Sequence, residues 1–260
     1  MFIGIDLGTS SVKAVLVDRA GEVRASASVA LELSHPHPHW SEQDPAAWWQ
    51  ATLESVDALI AEAKKQDIPA SDIAGIGLSG QMHGATLLDA DDAVLRPAIL
   101  WNDGRCDLEC EVLERVPGFR EITGNLAMPG FTAPKLMWVR THEPDVFARI
   151  AKVLLPKDYL RLKLTGEYAS DMSDSAGTLW LDGAKRAWSE GMLEACGLTR
   201  QQMPTLYEGN QITGQLLPAL AQRWGLARVP VAAGGGDNAA GAIGVGVVKP
   251  GQAFLCSIGL

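Results

Sequence analysis

Hydrophobic residues open this chain in a two-residue rhythm. Apolar runs at residues 2–7 and 12–17 are separated by Gly8-Thr9-Ser10-Ser11, and they predict two strands joined by a tight turn. Between residues 23 and 31, Val23, Ala25, Ala27, Val29 and Leu31 alternate with Arg24, Ser26, Ser28 and Ala30, the period of a half-exposed third strand. Three strands in succession predict an antiparallel meander. The period then lengthens to that of a helix. Asp44 as cap and Pro45 at the first helical position predict a helix over 45–65, with Trp48, Trp49, Leu53, Val56 and Ile60 on its buried side.

Short apolar runs at 73–78 and 85–88 predict strands flanking the polar turn 79–84, and a third run, 97–100, leads into Trp101-Asn102-Asp103-Gly104-Arg105. Residues 105–230 alternate helical stretches, among them 105–115 and 189–196, with loops rich in Gly, Pro and Asp. A strand at 229–233 feeds Gly234-Gly235-Gly236-Asp237-Asn238, a helix of small residues follows over 239–245, and residues 252–257 begin another strand. A meander followed by alternating α and β elements predicts an α/β fold whose mixed sheet is flanked by helices. A last strand with nothing after it would be an exposed edge, so the pattern predicts a piece of a longer gene product.

Composition narrows the function. With 47% hydrophobic and 20% charged residues the chain is an ordinary globular one, and a net charge of -9 without any Lys/Arg run argues against a nucleic-acid or anionic-membrane surface. The N-terminus lacks the basic region of a signal peptide, and no apolar run is long enough to span a bilayer. Four cysteines, with Cys106 and Cys110 one helical turn apart and Cys196 and Cys256 isolated, match neither a disulfide framework nor a zinc pattern. A cytoplasmic location is expected. His35, His37 and His39 alternate with prolines, which by themselves explain an extended segment.

Three clusters have the residue types of a reactive site. Asp6-Leu7-Gly8-Thr9-Ser10-Ser11, with Lys13 beyond it, joins a carboxylate at a strand end to hydroxyls and backbone N–H groups suited to phosphate oxygens and hydrated Mg²⁺. The same residue types also make an ordinary hairpin turn. Gly234-Gly235-Gly236-Asp237-Asn238 lies between a strand and a helix, where glycines admit close approach and a helix N-terminus favours an ionised Asp237. A plain cap reads equally well there. Gln81, Met82 and His83, with Trp101, Asp103 and Arg105, present amide, imidazole, carboxylate and guanidinium groups at strand ends, able to bond several hydroxyls while an indole covers C–H surface.

Taken together, Asp6-Leu7-Gly8-Thr9-Ser10 and Gly235-Gly236-Asp237-Asn238 resemble the carbohydrate kinases of the FGGY family, within the actin-like ATPase (ribonuclease H-like) superfamily. Trp40-Ser41-Glu42-Gln43-Asp44-Pro45 and Ser170-Asp171-Met172-Ser173-Asp174 agree with it, and Gln81-Met82-His83-Gly84 with Leu155-Pro156-Lys157-Asp158-Tyr159-Leu160 looks like the bacterial branch that phosphorylates D-xylulose. The resemblance implies a sugar-binding unit over 1–247 and, at 248–260, the first strand of a nucleotide-binding unit. It implies ATP and Mg²⁺ as cofactors, Asp237 as acceptor of the sugar hydroxyl proton, and Asp6 and Asp237 as metal-facing carboxylates. Gly8, Thr9, Ser10, Ser11, Lys13, Gly235 and Gly236 would face phosphate. Gln81, Met82, His83, Asn238 and, less directly, Trp101, Asp103 and Arg105 would face sugar. The alternatives are another sugar of the family, such as ribulose, gluconate or glycerol, and a noncatalytic sugar-binding module. Exposed apolar surface would favour self-association, in its simplest form a homodimer.

Overall fold

The structure is a computed structural model, and it describes residues 1–253. Of the strand expected at 252–257, residues 252 and 253 are not in a strand and residues 254–257 lie outside the described residues. Among those described, a mixed seven-stranded sheet forms the centre, its strands here named β1 (Phe2–Leu7), β2 (Ser11–Val17), β3 (Val23–Ala30), β4 (Gly75–Gly80), β5 (Ile212–Gln215), β6 (Pro230–Ala232) and β7 (Gly235–Gly236). The meander β1-β2-β3 is antiparallel as expected. β4 runs parallel to β1 on one side and to both β6 and β7 on the other.

One face of the meander is closed by α1 (Pro45–Lys65), capped by Asp44, whose carboxylate accepts from Ala46 N. Ile3, Ile5, Leu7, Val12, Ala14 and Leu16 point into this layer and are all buried. They meet Trp48, Val56 and Leu59, each fully buried, and at about 1.5–3 kcal/mol per large side chain this contact is a main source of stability. The helix differs from expectation in its stripe: Trp48, Ala51, Thr52, Ser55, Val56, Leu59 and Ala63 are buried, whereas Trp49, Leu53 and Ile60 lie on its rim. Four small or hydroxylated residues, Ala51, Thr52, Ser55 and Ala63, let the helix lie close to the sheet. Thr52 and Ser55 are accommodated because their hydroxyls donate to Trp48 O and Thr52 O within the helix.

Further helices that position the site are α2 (Thr132–His142), α3 (Pro156–Thr165), α4 (Met172–Ala176), α5 (Pro218–Trp224) and α6 (Asp237–Gly244). α3 packs beside α1 in the first core, while residues from Ala85 to Met203, including Trp138, Trp180 and Trp188, build a second. The expected strand 73–78 is displaced: β4 includes Ser79 and Gly80, because pairing with β1 on one side and β7 on the other continues to the end of the sheet. The helices expected at 105–115 and 189–196 form as Asp107–Glu114 and Glu190–Ala195.

The sheet has register shifts between Ile212 and Gly214 and between Leu16 and Val17, and the connection between β6 and β7 is a further irregular step. Val231 pairs with Ile76 and Gly235 with Ser79, so four residues on one strand span three on the other, and one residue is bulged out. Gly234 makes the step with a φ of +71°, and a Cβ there would lie 1.9 Å from Leu78 O. Only glycine fits both the dihedral and the space. Gly234→Ala is expected to lower unfolding stability by at least about 2 kcal/mol in chemical denaturation, and a variant as stable as the parent would mean the crossing is not built this way.

Candidate active site

The parallel pairing brings two distant acids to one sheet edge. Asp6 of β1 and Gly235 of β7 are both level with Ser79, on opposite sides of β4. Two strand spacings separate β1 from β7, about 9–10 Å. Asp237 follows at the first turn of α6, whose cap is Gly236 rather than Asp237 itself; its Oδ1 accepts from Asn238 N at 2.8 Å. Asp6 is exposed and Asp237 half-buried, so both are open to a ligand. Burial raises the Asp237 carboxyl above its ordinary range, and repulsion from Asp6 adds to that rise. A cavity of about 1090 Å³ opens over the sheet face turned away from α1, lined by Gly4, Asp6, Lys13, Gly77, Ser79 and Gly235 among others, while Asp237, Met82 and His83 lie outside its lining. Ligand sites in open α/β sheets lie outside the carboxyl ends of parallel strands, where Asp6 and Asp237 stand.

Met82 and His83 follow the end of β4, and Met82 reaches the chain just before Asp237. The thioether of Met82 lies directly on Gly236, where a Cβ would come within 2.7 Å of Met82 Cγ. His83 sits at a φ of 68°, its Nδ1 3.1 Å from Gly177 O and its ring edge-on to Phe131. Burial, assisted by the nearby Lys135 ammonium, pulls the His83 imidazole down to about 4. The ring is therefore neutral near pH 7. A carbonyl partner requires Nδ1 to carry the proton, which leaves Nε2 as an acceptor for a ligand hydroxyl. Asn238 is exposed beside Asp237.

The Gly8–Ser11 segment is a hairpin turn, closed by Gly8 N donating to Ser11 O at 3.0 Å and tied to the end of β3 by Leu31 N donating to Ser10 O at 2.8 Å. Ser10 and Lys13 are exposed, while Gly8, Thr9 and Ser11 are half-buried. Thr9 is held from three sides: its hydroxyl donates to Gln81 Oε1 at 3.3 Å and accepts from Trp101 Nε1 at 2.9 Å, and its carbonyl accepts from Gln43 Nε2 at 2.7 Å. Gln81 Nε2 donates to Gln43 Oε1, which also accepts from Trp48 Nε1.

That network corrects part of the sequence reading. The Gln81 amide is buried and engaged with Thr9 and Gln43, so it braces the turn instead of facing a sugar. The indole N–H of Trp101 and the hydroxyl of Thr9 satisfy each other. Asp103 and Arg105 turn inward: Asp103 accepts from Ser41 N at 2.6 Å and pairs with Arg105, which also bonds Glu42 at 2.8 Å and stacks on Trp40 at 3.7 Å. Their side chains are 0% and 1% exposed, which removes both from the pocket wall. A buried charge needs such partners, and here they come from the protein itself.

Other groups around the site were not anticipated. Lys135 is wholly buried on α2, donates to Phe131 O at 2.9 Å and to Gly130 O, and is pulled down to about 7 by burial. It fixes the backbone that carries Phe131 against His83, while Thr132 Oγ1 donates to His83 O at 3.1 Å. A lysine on the apolar stripe of Ala133, Leu136, Met137 and Val139 was the available signal. Lys157, also fully buried, pairs with Asp158, Asp171 and Asp174 at 2.7, 2.7 and 3.0 Å. Cys106, Cys110 and Cys196 are buried free thiols, their pKa values pushed by burial up to about 12, 12 and 11, so they remain unreactive packing groups. His35 Nδ1 lies 2.8 Å from Trp40 O and the His37 ring packs against Trp40, which accounts for both.

Comparison with known proteins agrees with this geometry. Residues 1–244 match the model of the FGGY family of carbohydrate kinases, N-terminal domain. The chain belongs to that family. It is 64% identical over 256 residues to a xylulose kinase of Escherichia coli K12, covering 98% of this chain and 52% of that protein. To a Bacillus subtilis xylulose kinase it is 45% identical over 260 residues, covering 99% and 51%. Among solved structures, a xyloylose kinase from Brucella ovis superposes with a TM-score of 0.93 at 59% identity, over 96% of this chain and 51% of that one. The xylulose kinase from Rhodospirillum rubrum gives 0.90 at 33%, again over 96% and 51%. The chain thus spans about half the length of the relatives it matches, and it has the actin-like fold of these kinases.

The neutral state of His83 has a consequence for stability. Its pKa is about 4 in the fold against about 6.5 unfolded, so its contribution is fully present above pH 6.5 and is lost as pH falls toward 4. Thermal unfolding of His83→Gln is expected to lose less stability than the parent between pH 6.5 and 4. Parallel curves for the two proteins would count against a buried neutral ring.

Proposed function

We propose that this chain is the sugar-binding half of an ATP-dependent kinase that transfers the γ-phosphoryl group to the terminal hydroxyl of D-xylulose, giving D-xylulose 5-phosphate. Residues 1–247 would form the sugar-binding unit, and 248–260 would begin the nucleotide-binding half. The observation that carries this reading is the approach of Asp6 and Asp237 at one edge of the sheet, with a neutral His83 on the turn that leaves β4. The names borne by the relatives supply the choice of sugar.

Phosphoryl transfer passes through a loose transition state, so alignment and charge balance matter more than a strong base. Asp237 would accept a hydrogen bond from the attacking hydroxyl and take its proton late, a task within reach of a modestly raised carboxyl. His83 Nε2 would accept from a neighbouring hydroxyl, and Met82 and Asn238 would fix the sugar against Gly236. Two carboxylates facing one open edge fit Mg²⁺, a hard ion that uses one or two carboxylates together with water and phosphate oxygens. Bound there, Mg²⁺ would neutralise the transferring phosphate. Asp6 and Asp237 would face it from β1 and α6, and Gly8, Ser10, Ser11, Lys13 and Gly235 would face phosphate oxygens.

In a protein joining this chain to the second half its relatives carry, Asp237→Ala is expected to lower sugar-dependent ADP release by at least about 100-fold, the scale of positioned proton transfer, while sugar affinity stays within a few fold. Near-parental turnover would exclude Asp237 as the proton acceptor. A panel of D-xylulose, ribulose, gluconate and glycerol tests the substrate, and equal rates on all would defeat the xylulose assignment. Ile243, Val245 and Val248, each 60–70% exposed, give this chain by itself an apolar face, and homodimerisation is the expected result. Sedimentation showing a monomer at every concentration would refute it.

A further inference from the structure

The bulge between β6 and β7 displaces the carbonyls of Ala232 and Ala233 from a regular ladder, and a buried polar group without a partner is costly. Both carbonyls are held by one side chain. Arg161, on α3 and 0% exposed, donates from Nη1 to Ala232 O at 2.7 Å and from Nη2 to Ala233 O. Nη1 also donates to Thr213 Oγ1 at 2.7 Å, and that hydroxyl donates to Val231 O at 3.1 Å. Ala233 N and Gly234 N in turn donate to Gln211 O and Gly209 O, at 2.8 and 2.9 Å. The bulge is thus clamped between a planar guanidinium fork and a loop.

The clamp has its own support. Asp158 lies 3.7 Å from Arg161 and shares Lys157 with Asp171 and Asp174. Asp171 accepts from Ser173 N and Ser173 Oγ, and Ser173 Oγ is close enough to Gly235 that a Cβ there would meet it at 3.2 Å. The same buried charge cluster therefore touches the chain on both sides of Gly234, three residues before Asp237.

A bulge decides which residue arrives at the end of a strand and in which direction it points. We propose that Arg161 is the positioning residue of the reaction: by holding the Ala232 and Ala233 carbonyls it sets the register of the bulge and so aims Asp237 at the attacking hydroxyl. The sugar contact through His83 arises from a different connection, after β4, and its ring is held by Gly177 and Phe131 rather than by the bulge. The inference rests on the kinase reading above.

The test compares Arg161→Lys and Thr213→Val in the two-half kinase, alone and combined with Asp237→Asn. Lysine keeps the buried positive charge yet offers a point donor in place of the fork. Arg161→Lys is expected to lower kcat at least about 10-fold with D-xylulose affinity within about threefold. Thr213→Val, a milder change that leaves every charge in place, is expected to lower kcat about threefold. In the Asp237→Asn background neither change is expected to move the residual rate more than about twofold, because Arg161 acts through Asp237. Equal losses in both backgrounds would make Arg161 a stability residue, and parental kcat in both single variants would overturn the proposal. Should Arg161→Lys not fold, Thr213→Val in the two backgrounds decides between the same outcomes. Absence of xylulose-dependent ADP release in the parent would instead overturn the kinase reading, and the positioning role with it.

Discussion

The parallel pairing of β4 with β1 on one side and β6 and β7 on the other is the constraint on which the site depends. Parallel strands deliver their carboxyl ends to a common edge, and residues that leave those ends converge without any further device. Asp6, Ser79, Met82, His83 and Asp237 come from three separate stretches of chain and share this edge for that reason. The antiparallel neighbours β2 and β3 add the hairpin turn and the face that α1 closes, and they lend rigidity to β1.

What lies beneath the edge is an unusual concentration of buried charge. Lys157 and Arg161 face Asp158, Asp171 and Asp174, one negative group more than positive. Burial, with repulsion from Asp158 and Asp171, raises the Asp174 carboxyl above its ordinary range, against the pull of Lys157. Burying such groups costs several kcal/mol each unless every one is paired, and hydrophobic packing would stabilise the fold more simply. Directional bonds are what hydrophobic groups lack. The cluster ties α3, α4 and the β6–β7 step into one body, with Arg161 reaching the two carbonyls that a regular strand would have paired.

The strands of the meander and the capped helix α1 were legible in the sequence because each is a local periodic pattern with local punctuation. The strand β4 was read two residues early, since Ser79 and Gly80 have poor strand propensity and are kept in the sheet only by partners on both sides. Site residues divide the same way. Asp6, Met82, His83 and Asp237, read as polar or special residues at strand ends, remain candidates, none of them fully buried. Gln81, Asp103 and Arg105 looked equivalent to them, but their partners Thr9, Gln43, Ser41 and Glu42 lie far away in the chain, and those partners turn them inward.

By itself the amino-acid sequence determined the elements, the turn chemistry and the short list of groups able to do chemistry, all of which depend on residues within a few positions of one another. Only the tertiary structure decided which of those groups are free. Hydrogen-bond and ion-pair partners are assigned by long-range packing, so Arg105 became a brace for Trp40 and Glu42 while Arg161, indistinguishable from it in one dimension, came to hold the backbone that leads to Asp237.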